Sequence, residues 1–157
     1  MLYSQFFVDD DKYVIPAREI IEIVPFVPLK SAPGLPDYLA GLMNYHGDSV
    51  PVIDLCRLFI KRPCRKKLST RIIMLSRKNA DDRQMMLGFL VEKSTEMISI
   101  NEDSFKPQQM KNPDTPTNGP VAVYEEFLVE KVSIEDVFNK LDKRLFAGAE
   151  SAVGESA

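Results

Sequence analysis

The chain is poor in the groups that do chemistry: among 157 residues there are one histidine, two cysteines and seven glycines. Cys56 and Cys64 with the single His46 are too few, and the cysteines too far apart, to fill the tetrahedral shell of a zinc ion. They read as reduced thiols of a cytoplasmic protein. Gly34, Gly41, Gly47 and Gly88 fit no phosphate-cradling spacing. The opening stretch MLYSQFFVDDDKYVIP lacks a basic leader followed by a long apolar core, so no signal peptide is expected. No apolar run approaches the roughly 20 residues that a membrane-spanning helix needs, which argues against direct membrane insertion. With 20 basic and 23 acidic residues, the net charge of −3 gives no global pull toward nucleic acid or anionic lipid.

What is present is apolar and β-branched. A hydrophobic share of 45% and a charged share of 27% are ordinary for a folded protein. The length suits one domain, or two very small ones sharing a core, large enough to fold without a metal or a disulfide. Residues 3–8, YSQFFV, read as a strand, residues 9–12 as its turn and residues 13–16 as the returning strand. The segment AREIIEIV predicts a short turn and then a strand, because branched residues suit a pleat better than a helix. Pro25, Pro28, Pro33 and Pro36 force an extended loop, and PDYLAG predicts a single helical turn. LMNY and VPVIDL form a hairpin around HGDS, where Gly47 can take a positive φ. Further strands are expected in RIIML, QMMLGFLVEK, EMISI and VAVYEEFLVEKV. A helix capped by Ser133 is expected to carry Ile134, Val137, Phe138, Leu141 and Leu145 on one face. From residue 148 onward the small, polar tail is expected to be disordered. Eight to ten short strands and one helix indicate an all-β barrel or sandwich.

The candidate reactive groups are weak. A general base needs a partner within hydrogen-bond reach and a group to orient it. His46 sits at a predicted turn, far from Cys56, so no catalytic residue, metal site or cofactor is expected. Asp9, Asp10 and Asp11 lack the spacing of a calcium loop. The basic run Lys61, Arg62, Arg65, Lys66 and Lys67 suggests a nucleic-acid-binding small β-barrel as an alternative function. No aromatics are interleaved with it, and a solvated link is the plainer reading. Apolar strands without a catalytic set point toward binding other proteins.

In order, these segments resemble the CheW-type coupling proteins of bacterial chemotaxis arrays. PDYLAGLMNYHGDSVPVIDL is similar to that family's turn, glycine, hairpin and Val-Pro-Val-hydrophobic-Asp-Leu strand. AREIIEIVPFVPLKSAPGLP, RIIML, MMLGFLVEKSTEMISI and FLVEKVSIEDVF match its other strands and closing helix. The resemblance implies one domain over 1–147, made of two packed five-stranded SH3-like barrels with a C-terminal helix. The junction is expected near 61–70. It also implies a non-catalytic scaffold in a two-component signalling array, joining the cytoplasmic tip of a chemoreceptor to the regulatory domain of a histidine kinase. Such a protein is cytoplasmic and recruited to receptor arrays at the inner face of the membrane. Carried over position by position, the receptor groove would hold Ile20, Glu22, Gly41, His46 and Leu87. The family usually has arginine where this chain has His46.

Overall fold

The computed structural model describes residues 1–78, 82–114 and 117–146, so the tail from 148, expected to be disordered, lies outside the described residues. Among the described residues there are ten strands. β1 (Leu2–Val8) and β2 (Asp11–Pro16) form a hairpin, and a 3-10 turn, Ala17–Glu19, leads into β3 (Ile20–Pro25). After the proline-rich loop come β4 (Leu39–Tyr45), β5 (Asp48–Asp54) and the short helix α1 (Leu55–Ile60). β6 (Arg71–Lys78), β7 (Gln84–Val91) and β8 (Lys93–Ser99) follow. The chain ends in β9 (Val121–Tyr124), β10 (Phe127–Lys131), helix α2 (Ile134–Asn139) and a 3-10 turn, Lys143–Phe146.

The strands form two five-stranded sheets, ordered β8-β1-β2-β10-β9 and β3-β6-β7-β5-β4. Each contains one parallel pairing, β10 with β2 and β5 with β7, and is otherwise antiparallel. In the second sheet the edge strands β3 and β4 meet through a side chain: the Tyr45 hydroxyl donates to Glu22 Oε2 at 2.6 Å. The sheet therefore curls into a barrel. Every strand of the second barrel comes from one continuous stretch, whereas the first is assembled from both ends of the chain. The crossings fall at Ala17–Glu19 and at Glu92. Residues 61–70, expected as the junction, instead connect α1 to β6 inside the second barrel. A charged run between two strands does not mark a boundary when both strands pair within one sheet.

The larger core cluster unites the barrels. Phe6, Val8, Tyr13 and Ile15 of β1 and β2 pack with Val52, Ile53, Ile73 and Phe89 of the second barrel, and with Leu58 and Val137 of the helices. Tyr3, Val14, Ile98, Ala122 and Val129 form a smaller core inside the first barrel. β1 and β2 are thus a shared wall, apolar on both faces, which is why their sequence shows no clean alternation.

Three local expectations change. The 36–41 segment makes a turn, with Leu39 N–H donating to Pro36 O at 3.1 Å, and extends from Leu39. Asp54 N–H takes the Tyr38 carbonyl at 2.7 Å, an acceptor that a helix would have needed. The C-terminal helix starts as expected, with Ser133 Oγ accepting from Asp136 N at 3.2 Å, but it ends at Asn139. Asp142 N–H, which a continuous helix would direct to Phe138 O, donates to the Tyr38 hydroxyl at 2.8 Å. Leu141 and Phe146 still reach the core, through the turn beyond the helix. Finally, Cys56 and Cys64, expected as free thiols, are joined in a disulfide with their Cα atoms 5.1 Å apart. Eight residues of separation conceal this proximity, because α1 and the following loop fold the chain back on itself.

Candidate partner-binding groove

The β4–β5 hairpin turns on two residues, His46 (φ 52°) and Gly47 (φ 90°). Both lie in the left-handed region, as a type I′ turn requires to match the twist of its strands. Asn44 Oδ1 accepts the Gly47 N–H at 3.0 Å and steadies the turn. His46 is exposed, with its ring edge-on to Tyr45 at 4.4 Å between centroids. Its place is set by hairpin geometry. Tyr45 bridges to β3 through Glu22, and that bond raises the pKa of the tyrosine hydroxyl above its ordinary value.

β3 carries a bulge. Ile20 pairs with Leu75 and Glu22 with Met74, leaving Ile21 unpaired and 47% exposed. Ile20, Ile21, Glu22, Tyr45 and His46 therefore form one wall, part apolar and part polar, at the outer edge of the second barrel. Of the residues expected at the groove, Glu22 and His46 are exposed and Ile20 is half-buried.

Gly41 and Leu87 do not face solvent. Gly41 (φ 151°) lies where a Cβ would come within 2.7 Å of Lys30 O and 2.8 Å of Leu29 Cβ. It lets the 29–30 loop bond β4, with Lys30 and Leu42 exchanging N–H donors at 2.9 and 2.8 Å. Leu87 is 2% exposed and stands opposite Leu75 in the core. β7 sits mid-sheet and is apolar almost throughout, so its pattern gives no sign of which way a leucine points.

The structure adds residues that sequence reasoning missed. On β1, Leu2, Ser4 and Phe6 share one face; Ser4 pairs with Ile15 on one side and with Met97 on the other. Phe6, Tyr13 and Ile15 on that face pack against the second barrel. Toward the start of β1 the packing stops, leaving Leu2 51% and Met97 45% exposed. Arg18, in the turn just before β3, donates to Met1 Sδ at 3.3 Å, so the uncovered end of this face adjoins the start of β3. These residues outline the candidate groove. Leu2 and Met97 lie at the uncovered end of the first barrel's face, and Ile21, Glu22, Tyr45 and His46 lie at the edge of the second barrel, the two linked by the Arg18–Met1 contact. The available signal was Leu2 itself, an apolar residue in register with core residues of the same strand.

The comparisons with known proteins agree with this architecture. The CheW-like domain family model matches residues 3–141. The chain is 25% identical over 137 residues to a chemotaxis protein CheW of Helicobacter pylori, an alignment covering 86% of this chain and 79% of that protein. It is 24% identical over 102 residues to a probable chemotaxis protein CheW of Rhizobium etli, covering 65% of this chain and 63% of that one. Its fold matches the crystal structure of the scaffolding protein TtCheW from Thermoanaerobacter tengcongensis with a TM-score of 0.70 at 21% identity, covering 85% of this chain and 84% of that one. Two five-stranded sheets in the order found here, and a family match spanning nearly all the described strands, make this chain a member of the CheW-like family.

Proposed function

We propose that the protein is a non-catalytic scaffold that couples the cytoplasmic tip of a chemoreceptor to the regulatory domain of a CheA-type histidine kinase. It would act in receptor arrays at the inner face of the membrane. Among the described residues no helix is long and apolar enough to cross a membrane, so recruitment would come from protein contacts. The observation that supports this reading is the exposure of three apolar side chains, Leu2, Ile21 and Met97, on strands at the edges of the two barrels, together with the exposed Tyr45–Glu22 hydrogen bond. An amphipathic helical hairpin suits that mixture, with apolar positions against the leucine, isoleucine and methionine and a polar position at Glu22 and His46. Ile20, Glu22 and His46 stay in the site; Gly41 and Leu87 act beneath it as packing.

Coupling needs a second surface. The β9–β10 hairpin supplies one: Val123 and Leu128 are directly opposed across the two strands and both exposed. We assign the kinase domain to this hairpin. The nucleic-acid reading loses part of its basis, because Arg62 of the basic run is engaged by Asp9 and Glu92. Sedimentation of the full chain with a receptor-tip fragment and the kinase regulatory domain tests the proposal. A ternary complex is expected. Competition between the two partners for the chain would contradict it, and so would salt-sensitive binding to single-stranded nucleic acid with neither protein partner bound.

A further inference from the structure

The loop 61–65 joins the two barrels, and a disulfide holds that loop in place. Arg62 Nη2 lies 3.0 Å from Asp9 Oδ1 in the β1–β2 turn. The same guanidinium grips both oxygens of Glu92, Nη1 to Oε2 at 3.1 Å and Nη2 to Oε1 at 2.9 Å. Glu92 also accepts the Asp9 N–H at 2.9 Å and the Arg65 N–H at 2.8 Å. Glu92 stands where the chain leaves the second barrel for the first. One carboxylate and one guanidinium therefore fasten the first barrel's turn, the crossing point and the loop together.

The loop is anchored from the other side by buried groups. Asp54 caps α1 by accepting the Arg57 N–H at 3.1 Å, and its two oxygens accept the Cys64 N–H at 3.2 and 3.0 Å. Cys56, in the first turn of α1, closes the same loop covalently onto Cys64. Cys64 Sγ also lies 3.4 Å from Leu90 O, two residues before Glu92. The carboxylate and both sulfurs are buried, with their ligand atoms within 4.8 Å of one another. With no other cysteine in the chain, each sulfur has only the other as a partner. A carboxylate beside them disfavours thiolates, so the neutral disulfide removes a like-charge juxtaposition that ionised thiols would create.

We propose that Cys56 and Cys64 are a reversible dithiol–disulfide pair whose state sets the order of loop 61–65 and, through Arg62, the firmness of the joint between the barrels. This goes beyond the adaptor reading and stands without it. Oxidation removes two electrons and two protons from the thiols. With hydrogen peroxide as oxidant, one thiolate attacks a peroxide oxygen, giving a sulfenic acid and water; the second sulfur displaces the sulfenic oxygen as a second water and the Sγ–Sγ bond forms. A dithiol reductant reverses the step through a mixed disulfide and leaves as its own cyclic disulfide.

The test uses the full chain, equilibrated with hydrogen peroxide or with dithiothreitol. Iodoacetamide labelling after denaturation counts free thiols, and amide hydrogen exchange reports on the joint. No labelled cysteine is expected after peroxide and two after reduction. The Asp9, Cys64 and Arg65 amides should exchange about tenfold faster or more in the reduced protein, while β6 and β7 hold their protection. The Cys56→Ser/Cys64→Ser variant should show the fast exchange under both conditions. Arg62→Ala should keep the disulfide yet lose Asp9 protection even when oxidised. Equal exchange of the three amides in both states of the wild type overturns the proposal, whether or not the serine variant folds. Two labelled cysteines after peroxide, or a tightly held zinc ion in the reduced protein, overturn it as well.

Discussion

The two barrels share a five-strand plan and differ in how completely they are filled. In the second, β5, β6 and β7 present consecutive buried residues, from Val50 to Asp54, Ile72 to Leu75 and Leu87 to Val91. In the first, the smaller core leaves the hydroxyl of Tyr3 buried without a hydrogen-bond partner among the described residues. Its β9–β10 hairpin keeps Val123, Phe127 and Leu128 exposed. Unpaired buried polar groups and uncovered apolar strands both subtract from stability. The contrast separates a densely filled barrel from a less completely filled one whose last hairpin leaves apolar side chains uncovered.

Core truncation probes that contrast most strongly. Phe89→Ala, in the second barrel, should cost about 4 kcal/mol and shift the unfolding of the whole molecule, because that core is common to both barrels. Ile98→Ala, in the smaller core, should cost about 3 kcal/mol and be visible first as faster hydrogen exchange confined to β1, β8 and β10. Urea denaturation followed by exchange distinguishes the two. Equal, global effects would erase the proposed difference between the barrels.

The joint between them comes next in size. Reducing the Cys56–Cys64 disulfide should lower stability by roughly 2.5 kcal/mol, the chain-entropy value for so short a loop. Acid should loosen the same joint. Arg62 leads the groups holding the Glu92 carboxyl down, to about 2 from an ordinary 4.5. A lowered carboxylate pKa means that its stabilisation is complete above about pH 4.5 and is lost as pH falls toward 2. Denaturation midpoints between pH 5 and 2 should fall less steeply in Glu92→Gln than in the wild type, a small effect for a partly solvated pair.

Much of this architecture is legible in the sequence because its turns announce themselves. Gly47 and Asn44 fix the β4–β5 hairpin, and Ser133 with Asp136 fixes the start of α2. The all-β class and nearly every strand follow from such local signals. What could not be read was non-local. The Tyr38 hydroxyl that stops α2 comes from 104 residues upstream. The pairing of β2 with β10, which builds the first barrel from both chain ends, leaves no mark on either segment. Of the residues that the resemblance named, Glu22 and His46 are exposed while Leu87 and Gly41 are buried, since a central strand hides its facing and a glycine leaves open whether it serves a partner or a neighbouring backbone. Leu2, Ile21, Tyr45 and Met97 joined the candidate site only once strand register and the β3 bulge were known.

The central claim is that this groove between the barrels receives the receptor tip. Calorimetric titration of a receptor-tip fragment against the wild type, Ile21→Asp, Met97→Asp and Leu128→Asp tests it most directly, because all three side chains are exposed and their replacement spares the core. Burying a new charge in an apolar contact should weaken receptor binding about 30-fold or more for Ile21→Asp and Met97→Asp. Leu128→Asp, on the opposite hairpin, should bind the receptor tip as the wild type does and lose the kinase domain instead. Wild-type receptor affinity in both groove variants would contradict the account, and loss of receptor binding in Leu128→Asp alone would move the site to the first barrel's hairpin.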